Sequence, residues 1–165
     1  MKRTPRALFS IVVVCPLLTG FAAAAPQQVK IPASGETTLR AVLGGKDVLI
    51  KFHTVVLRKM DPGFPLALAD YDNVSLVRGM SISVGGNPLF VPRSVYSDLF
   101  NVRGAELTLE KGVFKLVTGG AHGADTYSVR VHFNARRVVK REAYDALPPY
   151  KPLEVTVYSP PVVIK

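Results

Sequence analysis

The chain has 165 residues, one Cys, no Trp, and 21 Lys and Arg against 12 Asp and Glu, for a formal net charge of +9. One cysteine excludes an internal disulfide framework and a thiolate metal cluster. The lack of Trp removes the broadest aromatic face for stacking sugar rings, and the length limits the chain to one domain with a core of its own.

Lys2, Arg3 and Arg6 form a positive head, followed by an apolar run from Ala7 to Leu18, then Thr19, Gly20 and a block of alanines. This is the three-part layout of a secretory signal peptide. Ala22 and Ala24 supply the small side chains needed before a cut, within a window from Ala22 to Ala25. Cutting one residue later would put Pro26 behind the scissile bond, where its ring and missing N–H disfavour cleavage. The expected organisation is a signal peptide at 1–24 and a single all-β domain at 25–165. The run from Ala7 to Ala25 approaches the ~20 residues of a spanning helix, but Pro16, Gly20 and the alanine end argue against an anchor. Cys15 follows Val12-Val13-Val14 rather than the small residue that a lipidation site requires.

Removing 24 residues from 165 leaves 141, and losing Lys2, Arg3 and Arg6 leaves 18 basic residues against 12 acidic, or +6. The expected location is the periplasm or the exterior. An exported domain without disulfides must be held by its apolar core. Its positive charge favours anionic partners.

Gln27 to Pro32 reads as a short extended lead, and Thr37 to Leu43 as a loose alternation ending at Gly44-Gly45. From Val48 to Met60 the chain is rich in Val, Ile, Phe and Thr. Ile50, Phe52, Thr54 and Val56 share one face, with Lys51 and His53 on the other, which is strand patterning. Val55 and Leu57 add apolar groups to the second face, as in a central or bulged strand. Asp61-Pro62-Gly63-Phe64-Pro65 is a strong turn, Leu66 to Asp72 is ambiguous, and Asn73 to Val84 is a strand ended by Gly85-Gly86-Asn87-Pro88. Leu89 to Pro92 is short and extended, and Ser94 is placed to cap one helical turn through Leu99.

Ala105 to Glu110, Lys111-Gly112 and Val113 to Val117 form a hairpin signature. Gly119 to Asp125 reads as a Gly-rich hairpin loop, its glycines supplying positive φ. Thr126 to Phe133 alternates cleanly, Asn134-Ala135-Arg136 turns the chain, and Arg137 to Tyr144 follows. Leu147 to Pro152 is a stiff connector, and Leu153 to Tyr158 is a last strand. No helical period persists. Short strands between Gly and Pro turns predict an antiparallel β-sandwich or small β-barrel.

The chain has no Gly-x-Ser-x-Gly elbow and no salient pair of carboxylates. His53, His122 and His132 are the only imidazoles, too few for a closed zinc site without other ligands. Asp70-Tyr71-Asp72-Asn73 lacks the Gly and Glu of a calcium loop. The Gly119–Asp125 loop lacks the Lys of a phosphate loop, although His122 and Asp125 make it a candidate binding loop. No catalytic, metal or cofactor site is expected.

The clearest cluster is basic. Arg130, His132, Arg137, Lys140 and Arg141 fall on one predicted hairpin, with Arg136 in its turn. Antiparallel pairing crowds like charges there unless an anion screens them, which makes an anion-facing patch. The alternative is a charged sheet edge that blocks aggregation. The leading reading is an exported, non-enzymatic, basic β-domain of the bacterial envelope that binds or accompanies another envelope component. Its expected partner is an anionic envelope component or an acidic protein, not nucleic acid, and no segment spans a membrane after cleavage. Two further readings are a periplasmic enzyme using loop carboxylates or histidines, and an inhibitor of an envelope hydrolase.

Overall fold

Alternation in the sequence becomes strand through most of the chain. The computed structural model describes residues 26–122, 125–145 and 151–160. The expected leader, with the cleavage residues Ala22 and Ala24, lies outside these residues, as do Leu147 to Tyr150 of the connector. The described residues form ten strands: β1 (Gln27–Lys30), β2 (Gly35–Leu43), β3 (Lys46–Arg58), β4 (Asn73–Val84), β5 (Asn87–Leu89), β6 (Val102–Glu110), β7 (Val113–His122), β8 (Asp125–Phe133), β9 (Val138–Asp145) and β10 (Pro152–Val157). The fold is all-β, in two antiparallel sheets. Sheet A has the order β1-β6-β7-β8-β9-β10, and sheet B the order β2-β3-β4-β5. Among the described residues no helix is long and apolar enough to cross a membrane.

The sheets share one core. Sheet B contributes Leu39, Leu43, Val48, Ile50, Phe52, Ile82 and Val84, and sheet A contributes Leu107, Leu116, Val129, Val131 and Phe133. Phe114 stacks on Phe133 with ring centroids 5.2 Å apart. In β3 the inward side chains alternate with exposed Lys51 and His53, as the period requires.

The second apolar face of β3 has a local cause. His53 and Thr54 are opposite Gly79 and Val77, so Arg78 is an extra residue in β4. This bulge keeps Met80, Ile82 and Val84 facing inward on one side of it, and Val77 and Ser75 on the other. Val74 and Leu76 then face outward. They join Leu68 in a second cluster covered by Val55, Leu57, Phe64, Tyr71 and Phe100. The ambiguous stretch after Pro65 is a 3-10 turn at Leu66–Leu68 that packs Leu68 onto this outer face.

Several turns follow their residues. Lys111 (φ 49°) and Gly112 (φ 80°) both take positive φ, which closes the β6–β7 hairpin with the twist of its strands. Gln27 to Lys30 is more than a lead: it pairs with β6 along its whole length.

Leu89 ends β5, and Pro92 keeps an extended backbone, with φ −58° and ψ 144°. Two local expectations are corrected. Ser94 caps no helix. The turn there is a 3-10 segment, Arg93–Val95, entered through Pro92 without a side-chain cap, and the Ser94 hydroxyl meets the Tyr158 hydroxyl at 3.2 Å. Gly119 and Gly120 are not loop residues with positive φ. They lie within β7, paired with Ser128 and Tyr127. Their need for Gly is steric. A Cβ on Gly119 would sit 2.5 Å from the Tyr127 carbonyl oxygen, and one on Gly120 would press on the Phe100 carbonyl oxygen and stand 2.7 Å from Tyr127 Cε1.

Candidate functional site

The predicted basic hairpin exists, but its position overturns the sheet-edge reading of it. β9 pairs with β8 on one side and with β10 on the other. It is an interior strand, so its charges do not protect an open edge. Register brings the outward side chains of sheet A into rows. Lys115, His132, Lys140 and Val157 follow one another across β7 to β10, and Val117, Arg130, Glu142 and Val155 form the next row.

Only three of the five predicted patch residues share this face: Arg130, His132 and Lys140. The cause is a bulge in β9. His132 is opposite Lys140 and Phe133 is opposite Val138, which leaves Val139 as an extra residue. Val138 points into the core, and the insertion turns Lys140 and Glu142 outward and Arg141 inward. Arg141 is 2% exposed and lies between Asp98, at 2.5 Å, and Glu154, at 3.5 Å. It ties the loop after β5 to sheet A. Arg137 precedes the bulge and donates from Nη1 to the Tyr158 carbonyl at 2.6 Å.

On the outer face, Glu142 accepts from Lys140 Nζ at 2.9 Å and lies 2.9 Å from His132 Nε2. Burial opposes the Glu142 charge, but the hydrogen bonds from Lys140 and His132 outweigh it and hold its carboxyl below the ordinary range. Lys115 Nζ pairs with Glu110, whose carboxyl is lowered by that hydrogen bond. The Arg130 guanidinium lies over the Tyr144 ring, 4.2 Å from its centroid. Among the described residues it makes no ion pair. Three cations, Lys115, Arg130 and Lys140, stand against two carboxylates, Glu110 and Glu142. The face therefore carries one net positive charge with His132 neutral, centred on Arg130.

Beside it runs a shallow groove of about 460 Å³, lined by Lys30, Gly104, Glu106, Val117, Gly119 and Ser128. Gly104, Gly119 and Ser128 follow one another across three strands, so little side chain rises from this row.

Lys115, Glu110 and Tyr144 were not legible as site residues. Lys115 and Glu110 flank the Lys111-Gly112 turn, and that turn's two-residue register was the signal that could have brought them together. Tyr144 needed the β8–β9 pairing.

The other candidates disperse. His122 and Asp125 end β7 and begin β8 and pair across the hairpin; their side chains lie outside the described residues. Gly123 and Ala124 lie outside as well. His53 is on the outer face of sheet B, opposite Glu36 and Gly79, and shares no site with His132. Among the described residues no three His, Cys, Asp or Glu converge to hold a metal ion. The Asp72 main-chain carbonyl accepts from the Lys59 N–H at 2.8 Å, one step beyond the last β3–β4 pair.

Comparison of the chain with protein-family models, with curated proteins and with solved structures returns no match.

Proposed function

We propose that this is an exported β-sandwich domain of the bacterial envelope, without catalytic activity, whose Arg130-centred face binds an anionic envelope component. The carrying observation is the Arg130 guanidinium. It lies over the Tyr144 ring with its donors unengaged among the described residues, and Lys115 and Lys140 lie in the adjoining row. Stacking fixes the orientation of the guanidinium, so little rotamer freedom is lost when an anion arrives. Glu142 and Glu110 pair with the flanking lysines, and Arg130 forms an ion pair with neither, which favours one acidic group over a diffuse polyanion. The signal peptide layout of the first 24 residues supports a location outside the cytoplasm.

Binding to lipopolysaccharide micelles, anionic lipid vesicles and an acidic protein probe tests the reading by surface plasmon resonance. Affinity should fall as salt rises, since the screening length shrinks from about 10 Å at 0.1 M to about 3 Å at 1 M. Arg130→Gln should weaken binding severalfold, and Lys115→Gln should slow association. Lys51→Gln, on the exposed face of sheet B, should change neither. No binding to any of the three probes, or equal binding by Arg130→Gln, overturns the proposal.

A further inference from the structure

Among the described residues the two sheets end in four edge strands, and three of them are poor templates for another strand. β5 has three residues, one of them Pro88. β1 has four, Gln27-Gln28-Val29-Lys30. β2 carries Glu36 and Arg40 on its exposed face. β10 differs. Its sequence Pro152-Leu153-Glu154-Val155-Thr156-Val157 holds no cation. Leu153, Val155 and Val157 are 76%, 50% and 71% exposed. Among the described residues no strand pairs with its outer side. A β-prone, apolar edge left open is a site for strand addition.

We infer that β10 pairs with β10 of a second copy of this chain, antiparallel about a twofold axis through Val155. The main-chain directions fit. The Tyr158 N–H points at β9, where it donates to the Val139 carbonyl at 2.9 Å. Strand alternation therefore turns the N–H and C=O of Val155 and Val157 away from β9, toward the open side. Centring on Val155 sets that residue opposite the partner's Val155, so the two exchange both main-chain hydrogen bonds.

The side chains fit the same register. Leu153 is the extra residue of a bulge between Pro152 and Glu154, so the regular part of the edge runs from Glu154 to Val157. Glu154 falls opposite the partner's Thr156. No like charges meet. Shifting the centre by one residue to Glu154 would set two carboxylates against each other, which destabilises a cross-strand pair. Pro152 and Pro160 limit the pairing to the strand itself.

The contact is one strand wide, below the ~1,600 Å² of a standard interface, so the dimer is a reversible one in the micromolar range. The axis is perpendicular to the sheet, so both copies present their outer faces on one side. This inference rests on β10 alone and does not depend on anion binding.

Sedimentation equilibrium across the micromolar range should show a monomer–dimer transition of the native chain. Val155→Lys sets two ammonium groups opposite each other at the axis and should leave only monomer, with an unchanged unfolding midpoint because Val155 is half exposed. Cysteine cross-linking reads the register, in a Cys15→Ser background. Val155→Cys should form a disulfide-linked dimer on mild oxidation, because directly opposed residues of a hydrogen-bonded pair stand about 5.5 Å apart, within disulfide reach. Val157→Cys should not, since its two copies would be roughly 14 Å apart at ~3.4 Å per residue. A native chain that stays monomeric, a dimer that survives Val155→Lys, or equal cross-linking at both positions overturns the inference.

Discussion

Gly120→Ala is the sharpest test of how the two halves of sheet A are joined to the loop before β6. Gly120 lies in β7 opposite Tyr127, and its Cα approaches the Phe100 main chain. A methyl group there meets the Phe100 carbonyl oxygen and stands 2.7 Å from Tyr127 Cε1 and 2.9 Å from its hydroxyl. Neither neighbour yields easily. The Tyr127 hydroxyl accepts from the Phe100 N–H at 2.8 Å and donates to the Phe100 carbonyl at 2.6 Å, and the two rings lie 5.0 Å apart. Burial pushes the Tyr127 hydroxyl well above its ordinary pKa, so it stays neutral and keeps both bonds. Forcing a methyl into such a contact costs about 1–3 kcal/mol. Losing the two hydrogen bonds costs about 1 kcal/mol each. The stiffer unfolded chain offsets about 0.4–1 kcal/mol. The expected loss is about 3 kcal/mol, a fall in midpoint of roughly 10 °C for a domain of this size. Gly79→Ala is the control, because its Cβ would meet only His53 Cβ at an ordinary 3.5 Å. Urea unfolding monitored by circular dichroism gives both values. A Gly120→Ala variant within 0.5 kcal/mol of the parent, on the ordinary scale of surface substitutions, would refute the steric account of this glycine.

Three other outcomes follow from the same contacts. Asp98→Ala with Glu154→Ala strands the Arg141 guanidinium inside and should cost about 3–5 kcal/mol, whereas Arg141→Met should be neutral or stabilising, because both carboxylates return to water; chemical denaturation of the two variants decides. Glu142 has its carboxyl lowered in the fold, so its contribution to stability is complete above the unfolded carboxylate pKa and is lost as pH falls through the folded one. Glu142→Gln should therefore flatten the acid limb of the stability profile below about pH 4.3, and an unchanged limb would sink that assignment. Mass spectrometry of the soluble protein from its native host should show a start at Ala25, against which an intact Met1 would count.

Much of the fold is legible in the sequence because it is local. The alternation of β8 and the Lys111-Gly112 turn need only their own residues, and both appear where the period and the turn chemistry put them. Val55 and Leu57 on the second face of β3 pointed to a central or bulged strand; β3 is central, and the bulge lies opposite it in β4. What the sequence does not contain is the position of a single inserted residue. Arg78 and Val139 look like ordinary strand residues, yet each resets which face its neighbours take. Val139 decides that Lys140 meets solvent while Arg141 meets the core, and so splits a basic run that reads as one patch. The glycines at 119 and 120 mislead for a related reason. A Gly needed for φ is recognised from its neighbours in sequence, but one needed for space is recognised only from the strand and carbonyl packed against it, Tyr127 and Phe100. Composition and period determine that the chain is β and how its strands alternate, because those depend on each residue's own geometry. Which charges share a face, and which edge is left open, depend on pairing between distant strands, and only the tertiary structure decides them.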